Sequence, residues 1–250
     1  MFSYNEYGNL IKIISNHLPI IDFKDVEENT KKFCVLRHDI EFSIDRAYNL
    51  AKIENKLGVI STYTVQVRNN TYNALSEKNI KAIKEIKKLG HKIGLHQNPP
   101  PMSESELTNY ILKDIETLEH YYGFEVDRFA FHRCGGSPHL LKSYIQVDNK
   151  INCYDKKFFH YFEGGKPEEL KVNYIADSNH RWKYGHPLDL DFRKIKKLQL
   201  LTHPYSWTNR GIQDNYANYL SLIKERTEEL VFSMNTETNT FPNEILETLK

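Results

Sequence analysis

Short apolar runs and helical stripes alternate along this chain, and that alternation sets the expected fold. Over residues 5–17 and into Leu18, the apolar positions Leu10, Ile11, Ile13 and Ile14 fall at helical spacing, and Pro19 then supplies a turn. An N-terminal helix is expected there. After a charged stretch at 24–32 come three repeating units: strand 33–38 with helix 43–57, strand 60–67 with helix 76–89, and strand 92–96 with helix 103–122. Ser76 stands three residues before Asn79 as a helix start, and Ser103 has Glu106 in the capping-box position. Strand 128–131, helix 138–147, short strands 152–154, 172–176 and 198–202 and a C-terminal helical region complete the reading. Successive strand–helix units predict parallel pairing. Seven strands with interspersed helices suit a distorted α/β barrel, in which chemistry gathers at the C-terminal ends of the strands.

The chemically capable side chains fall at those ends. Asp39 and Glu41, His96, His132 and Arg133, Asp177, and His203 each close an apolar run, so a parallel barrel would bring them to one mouth. Asp39 and Glu41 are two residues apart and share a face with Arg37, while His38 and Ile40 point away. Two carboxylates on one face repel unless a cation, a proton or a catalytic task holds them together. The competing reading makes them helix-dipole partners at the start of helix 43–57. Carboxylate with imidazole is a first set of ligands suited to zinc and similar metals. His91 begins its strand, at the far end from the chemistry, and is expected to be structural. His132 is open to two readings, a satisfied buried histidine or a metal ligand. The connections at 155–171 and 178–197 carry aromatics and are candidates for a rim over the mouth.

Charge and composition narrow the partners. Lys and Arg total 34 against 33 Asp and Glu, a formal +1, which gives no electrostatic footprint for nucleic acid or an anionic membrane. No apolar run approaches the ~18 residues of a membrane span, and no leader opens the chain, so no membrane insertion is expected. The three cysteines, Cys34, Cys134 and Cys153, form no CxxC pair, which suits a reducing compartment and a cytoplasmic location. With no linker between motifs, residues 1–250 are expected to form a single domain that includes the N-terminal helix. The 16 Tyr and 13 Phe are compatible with a sugar-stacking surface, but a coding bias that also enriches Lys, Asn and Ile explains them as well.

Five ordered landmarks over residues 33–207 resemble the polysaccharide deacetylases, carbohydrate esterase family 4, in the branch with an Arg-His-Asp-x-Asp opening associated with surface-polysaccharide and lipopolysaccharide biosynthesis. They are Arg37 to Glu41, Gly90 to His96, Phe131 to Gly136, Asp177 to Trp182, and Leu200 to His203. The resemblance implies a distorted (β/α)7 barrel and a hydrolase removing an acetyl group from a carbohydrate or nucleotide-sugar substrate with a divalent metal, zinc above all. It implies Asp39 as catalytic base, oriented by Arg133, His203 as general acid, and Asp177 as a further catalytic residue. Glu41 and His96 look like metal ligands, and Trp182, Tyr184, Tyr205 and Trp207 like flat surfaces for sugar rings.

Two departures bear on the metal. The family's second histidine sits four residues after the first, where this chain has Pro100, and Glu41 replaces an aspartate with one more methylene. His132, at a strand end, is expected to fill the missing position in preference to His91, or else water does. Two other functions fit the residues: a non-catalytic carbohydrate-binding relative with an incomplete metal site, and a metal-assisted hydrolase of a non-sugar amide.

Overall fold

The protein is described here by a computed structural model, which describes the chain except residues 100–101, 134–139, 141–144, 161–170, 183–184, 239, 243 and 246–250. The elements run α1 (Tyr4–His17), β1 (Phe33–Ile40), α2 (Ile44–Lys56), β2 (Thr62–Val65), α3 (Glu77–Lys88), β3 (Lys92–Gln97), α4 (Glu104–Tyr122), β4 (Arg128–Phe131), β5 (Ile151–Asn152), β6 (Asn173–Ala176), β7 (Lys197–Thr202) and α5 (Asn215–Glu237). Local chemistry starts the helices. Ser3 with Glu6 and Ser103 with Glu106 form capping boxes for α1 and α4, and the Ser43 and Ser76 hydroxyls accept the first free amides of α2 and α3. Gly123, at φ 73°, ends α4 in the left-handed cap that favours glycine. The helix expected at 138–147 lies mostly outside the described residues, and 145–147 are not helical.

The seven strands form one curled sheet in the order β5-β4-β3-β2-β1-β7-β6, and every neighbouring pair is parallel. This is the distorted barrel expected from the sequence, with β5 and β6 as edges that do not pair among the described residues. β1 is buried along its whole length. Phe33 and Val35 join the cluster that includes Tyr63, Leu95 and Phe129, while Cys34 and Leu36 pack toward α1 with Tyr7, Leu10, Ile11 and Ile14.

Both layers carry buried polar networks. At the start of β4, Arg128 donates to Asp22, Asp127 and Thr62 from a fully buried position. On the outer face, Glu54 of α2 accepts from Tyr7, Ser61 and Tyr63 and pairs with His38 at 2.8 Å. His91 sits beside it, with Nδ1 accepting the Ser61 amide and Nε2 at 2.9 Å from the Ala51 carbonyl, a structural position away from the mouth. Burial opposes the charge on Glu54, but His38 and its other donors outweigh that and hold its pKa at about 2.

Two stability predictions follow from these networks. A Cβ at Gly94 would stand 2.7 Å from Arg128 Cγ and 3.1 Å from the Arg128 carbonyl oxygen. Gly94→Ala is expected to cost about 1–3 kcal/mol, read as a lower urea midpoint; an unchanged midpoint would show that Arg128 can step aside. Glu54 titrates at about 2 when folded against an ordinary value of 4.5. Its contribution is therefore present above the unfolded value and is lost as pH falls through the folded one. Wild-type stability should drop more steeply than that of Glu54→Gln between about pH 5 and pH 2, and parallel profiles would remove Glu54 from the acid limb.

Candidate active site

The alternation along β1 decides which side chains reach the mouth. Arg37, Asp39 and Glu41 project inward, and His38 turns out to Glu54. Asp39 is held from two sides, by the Arg37 guanidinium (Nε to Oδ1 3.0 Å, Nη2 to Oδ2 3.2 Å) and by the Thr64 hydroxyl at 2.7 Å. Burial would raise its pKa, but Arg37, with His96 and His203, outweighs that and lowers it. Asp39 is thus kept ionised and oriented.

Glu41 lies just past β1, where the chain leaves the sheet, and the β2–α3 connection pins it. Asn69 Nδ2 and Thr71 Oγ1 donate to the Glu41 carbonyl at 2.9 and 2.7 Å, and Tyr72 donates to the Ile40 carbonyl at 2.9 Å. The Glu41 carboxylate reaches His132 Nε2 at 3.1 Å and His96 Nε2 at 3.9 Å. Burial works against its charge, yet His203, His132 and His96 hold its pKa well below the usual carboxylate range.

Glu41, His96 and His132 offer ligand atoms within 4.8 Å of one another. These residues fit a divalent metal on their own chemistry, being two imidazoles and a carboxylate, the donor set of a three-ligand site with an open position. Buried His96 has no hydrogen-bond partner at either ring nitrogen, and His132 Nδ1 has none either. A buried unpaired imidazole is costly, and a metal would satisfy His96 at Nε2.

Across the mouth, Asp177 and His203 form a second unit. Asp177 Oδ1 accepts the His203 amide at 2.8 Å and lies 2.7 Å from its Nδ1, while Oδ2 accepts Trp207 Nε1 at 2.8 Å. With Nδ1 so engaged, Nε2 faces the cavity, 3.8 Å from Glu41. Burial lowers the His203 pKa, but Glu41 and Asp177 raise it to about 9.

Asp39, Glu41, His96, His132 and His203 line a cavity of about 650 Å³ together with Gln66, Asn69, Asn98, Tyr154, Tyr174 and Tyr205, Asp177 lies buried behind His203, and α5 adds Tyr219 to the wall. Arg46 of α2, itself buried, fixes that wall by donating to the Tyr205 carbonyl, Asn218 and Glu225.

The structure brings together Asp39, Glu41, His96, His132, Asp177 and His203, and it corrects three expected roles. The guanidinium on Asp39 is that of Arg37; Arg133 lies exposed on the cavity wall with φ 55°. Trp207 is buried as a donor to Asp177, and Trp182 packs against Phe2 and Trp207, so neither lines the cavity. Tyr205 does line it, and Tyr184 and Pro100 lie outside the described residues. Sequence reasoning left out Gln66, one residue past β2, and Arg68, both of which line the cavity and which the strand-end rule applied to that strand would have found; Asn69 and Thr71 lie further along the connection, where no sequence signal marks them.

No family model matches the chain, and no curated protein matches it. Solved structures similar to it include a CE4 family pseudoenzyme from Bacillus anthracis (16% identity, TM-score 0.43, covering 81% of this chain and 63% of that one). Also similar are a peptidoglycan deacetylase from Bdellovibrio bacteriovorus (14%, TM-score 0.45, 82% and 52%) and a chitin deacetylase from the fungus Colletotrichum lindemuthianum (16%, TM-score 0.44, 79% and 84%). The chain thus spans less than two thirds of the length of the Bacillus anthracis protein. Members of the family that the sequence motifs resemble are among the structures similar to this one. At these identities and TM-scores the likeness bears on neither substrate nor catalytic competence.

One measurement checks the ligand set. Purified protein titrated with zinc should hold one equivalent and unfold at a higher temperature, while Glu41→Ala, His96→Ala and His132→Ala each lose most of the metal. Full occupancy in His132→Ala would remove that residue from the set.

Proposed function

We propose that this chain is a metal-dependent hydrolase that removes an acyl group, acetyl in the first instance, from a carbohydrate or nucleotide-sugar intermediate of surface-glycan synthesis. One observation carries the reading: a carboxylate and two histidines with metal-ligand spacing face the same cavity as a clamped carboxylate and a histidine that a buried aspartate holds. A divalent metal held by Glu41, His96 and His132 would supply Lewis-acid polarisation of the acyl carbonyl. Asp39, kept ionised by Arg37, takes the proton of the attacking water. His203, with Nδ1 tied to Asp177, delivers a proton from Nε2 to the departing nitrogen or oxygen. Asn, Gln and Tyr side chains in the cavity wall support a polyhydroxylated substrate, and Arg68 and Arg133 in the same wall leave room for an anionic group on it. The surface-glycan setting and the cytoplasmic location rest on the motif resemblance and the cysteine usage alone. No helix among the described residues is long and apolar enough to cross a membrane.

The test is acetate release from a panel of N- and O-acetylated sugars and sugar nucleotides by the zinc-loaded protein, with Asp39→Asn in parallel. The wild type should release acetate and the variant should be slower by about 10²–10⁴-fold with its metal and folding retained. Near wild-type turnover in Asp39→Asn would show that Asp39 is not the base. Sugar binding without turnover in the wild type would favour a non-catalytic carbohydrate-binding protein, and turnover confined to non-sugar amides would move the substrate class.

A further inference from the structure

The inward-facing residues along β2 are Thr62, Thr64 and, one residue past the strand, Gln66. Thr62 accepts from Arg128 and Thr64 donates to Asp39, so the first two are engaged within the fold. Gln66 is only 4% exposed and lines the cavity, yet its side-chain nitrogen has no hydrogen-bond partner. Its backbone is fixed, the amide donating to Tyr72 at 3.0 Å, so the side chain is not free to swing out to solvent with the loop. An unsatisfied buried amide is destabilising, and such groups persist where something outside the fold satisfies them.

The register says where that partner sits. Asp39 is opposite Thr64, and Thr64 is opposite Gly94. Two residues further along each strand stand Glu41, Gln66 and His96, all on the inward face. Gln66 therefore lies between two of the candidate metal ligands, at the level where the reacting group would bind. A carboxamide offers an acceptor and two donors without charge, which complements a hydroxyl, itself both donor and acceptor. Asn69, Asn70, Asn98 and Asn179 continue a carboxamide-rich wall around the same cavity.

We propose that Gln66 is a substrate-contacting specificity residue, whose amide hydrogen-bonds a free sugar hydroxyl beside the acylated carbon. The site thereby selects an acylated sugar whose neighbouring hydroxyl is unsubstituted. This rests on the hydrolase reading above for its turnover arm, and on the geometry of Gln66 alone for its stability and binding arms.

The test compares full-length, zinc-loaded wild type with Gln66→Met, which keeps the volume and removes the amide. In the absence of ligand the variant should unfold about 2–4 °C higher, because an unsatisfied buried group has gone. A fall of that size overturns the proposal, since the amide would then have a structural task. With the methyl glycoside of N-acetylglucosamine as probe, the wild type should show a ligand-induced rise in unfolding temperature that Gln66→Met lacks; an equal rise in both overturns it. Wild-type kcat/KM should fall about 10–100-fold on changing to the 3-deoxy analogue, and Gln66→Met should be slower on the hydroxylated probe by a similar factor and blind to the change, as expected for one or two lost hydrogen bonds. Loss of zinc from Gln66→Met would make the residue a ligand and overturn the proposal in another way. If the wild type releases no acetate from either probe, the hydrolase reading fails while the stability and binding arms still decide the role of Gln66.

Discussion

The mouth of this barrel is built on one buried charge, the guanidinium of Arg37. It is fully buried, and an arginine so placed is tolerated only when its charge is paired. The matches define the architecture. Asp39 takes the charge, Gln199 of β7 accepts from Nη1 at 2.9 Å, and Tyr154, just after β5, accepts from Nη2 at 2.6 Å. Gln199 in turn donates to the Cys153 and Phe158 carbonyls, so the chain leaving β5 is drawn in toward β7 although the two strands are far apart in the sheet order. The same guanidinium therefore ties β1 to β7 and to the chain after β5 and keeps Asp39 ionised. Removing Asp39 would strand Arg37, and removing Arg37 would leave Asp39 with the Thr64 hydroxyl and break the links from β1 to Gln199 and Tyr154.

The outer face braces what the inner face presents. Strand alternation sends His38 outward while its neighbour Asp39 points in, and Thr202 is the residue before His203 on β7. His38 and Thr202 are opposite each other in the register, and His38 Nδ1 lies 2.6 Å from the Thr202 hydroxyl. Glu54 holds the other ring nitrogen from α2. A buried polar chain that is fully satisfied is rigid and specific. It sets the spacing between the strands that carry the candidate base and the candidate acid, without touching the cavity.

Much of this was legible because periodicity and capping are local. The five described helices start where serine and aspartate caps allow, and the strands sit where β-rich apolar runs were expected, with shifts of at most two residues at their ends. The strand-end rule found Asp39, Glu41, His96, His132, Asp177 and His203, since parallel pairing makes convergence automatic. It could not say which arginine meets Asp39. Arg37 and Arg133 both fit the rule, and the choice depends on Tyr154 and Gln199, which lie 117 and 162 residues from Arg37. Sequence also made Trp182 and Trp207 sugar platforms. Their true neighbours, Phe2 and Tyr7 of the N-terminal segment, fill that space from outside the barrel.

The two departures in the metal motif have one physical reading together. In the motif the chain resembles, the second histidine follows the first by four residues and the carboxylate is an aspartate. Here the imidazoles come from β3 and from the end of β4, and the carboxylate must reach both from β1, across the width of β2. The extra methylene of Glu41 supplies that reach, ending 3.1 Å from His132 and 3.9 Å from His96. A longer side chain is also a looser one, with more rotamer freedom to lose. The two donors from Asn69 and Thr71 to the Glu41 carbonyl offset this by fixing its backbone at the point where the strand ladder no longer does. The β2–α3 connection thus belongs to the candidate metal centre although none of its residues is a ligand, and the substitution at Glu41 makes sense only with that connection and His132 in place.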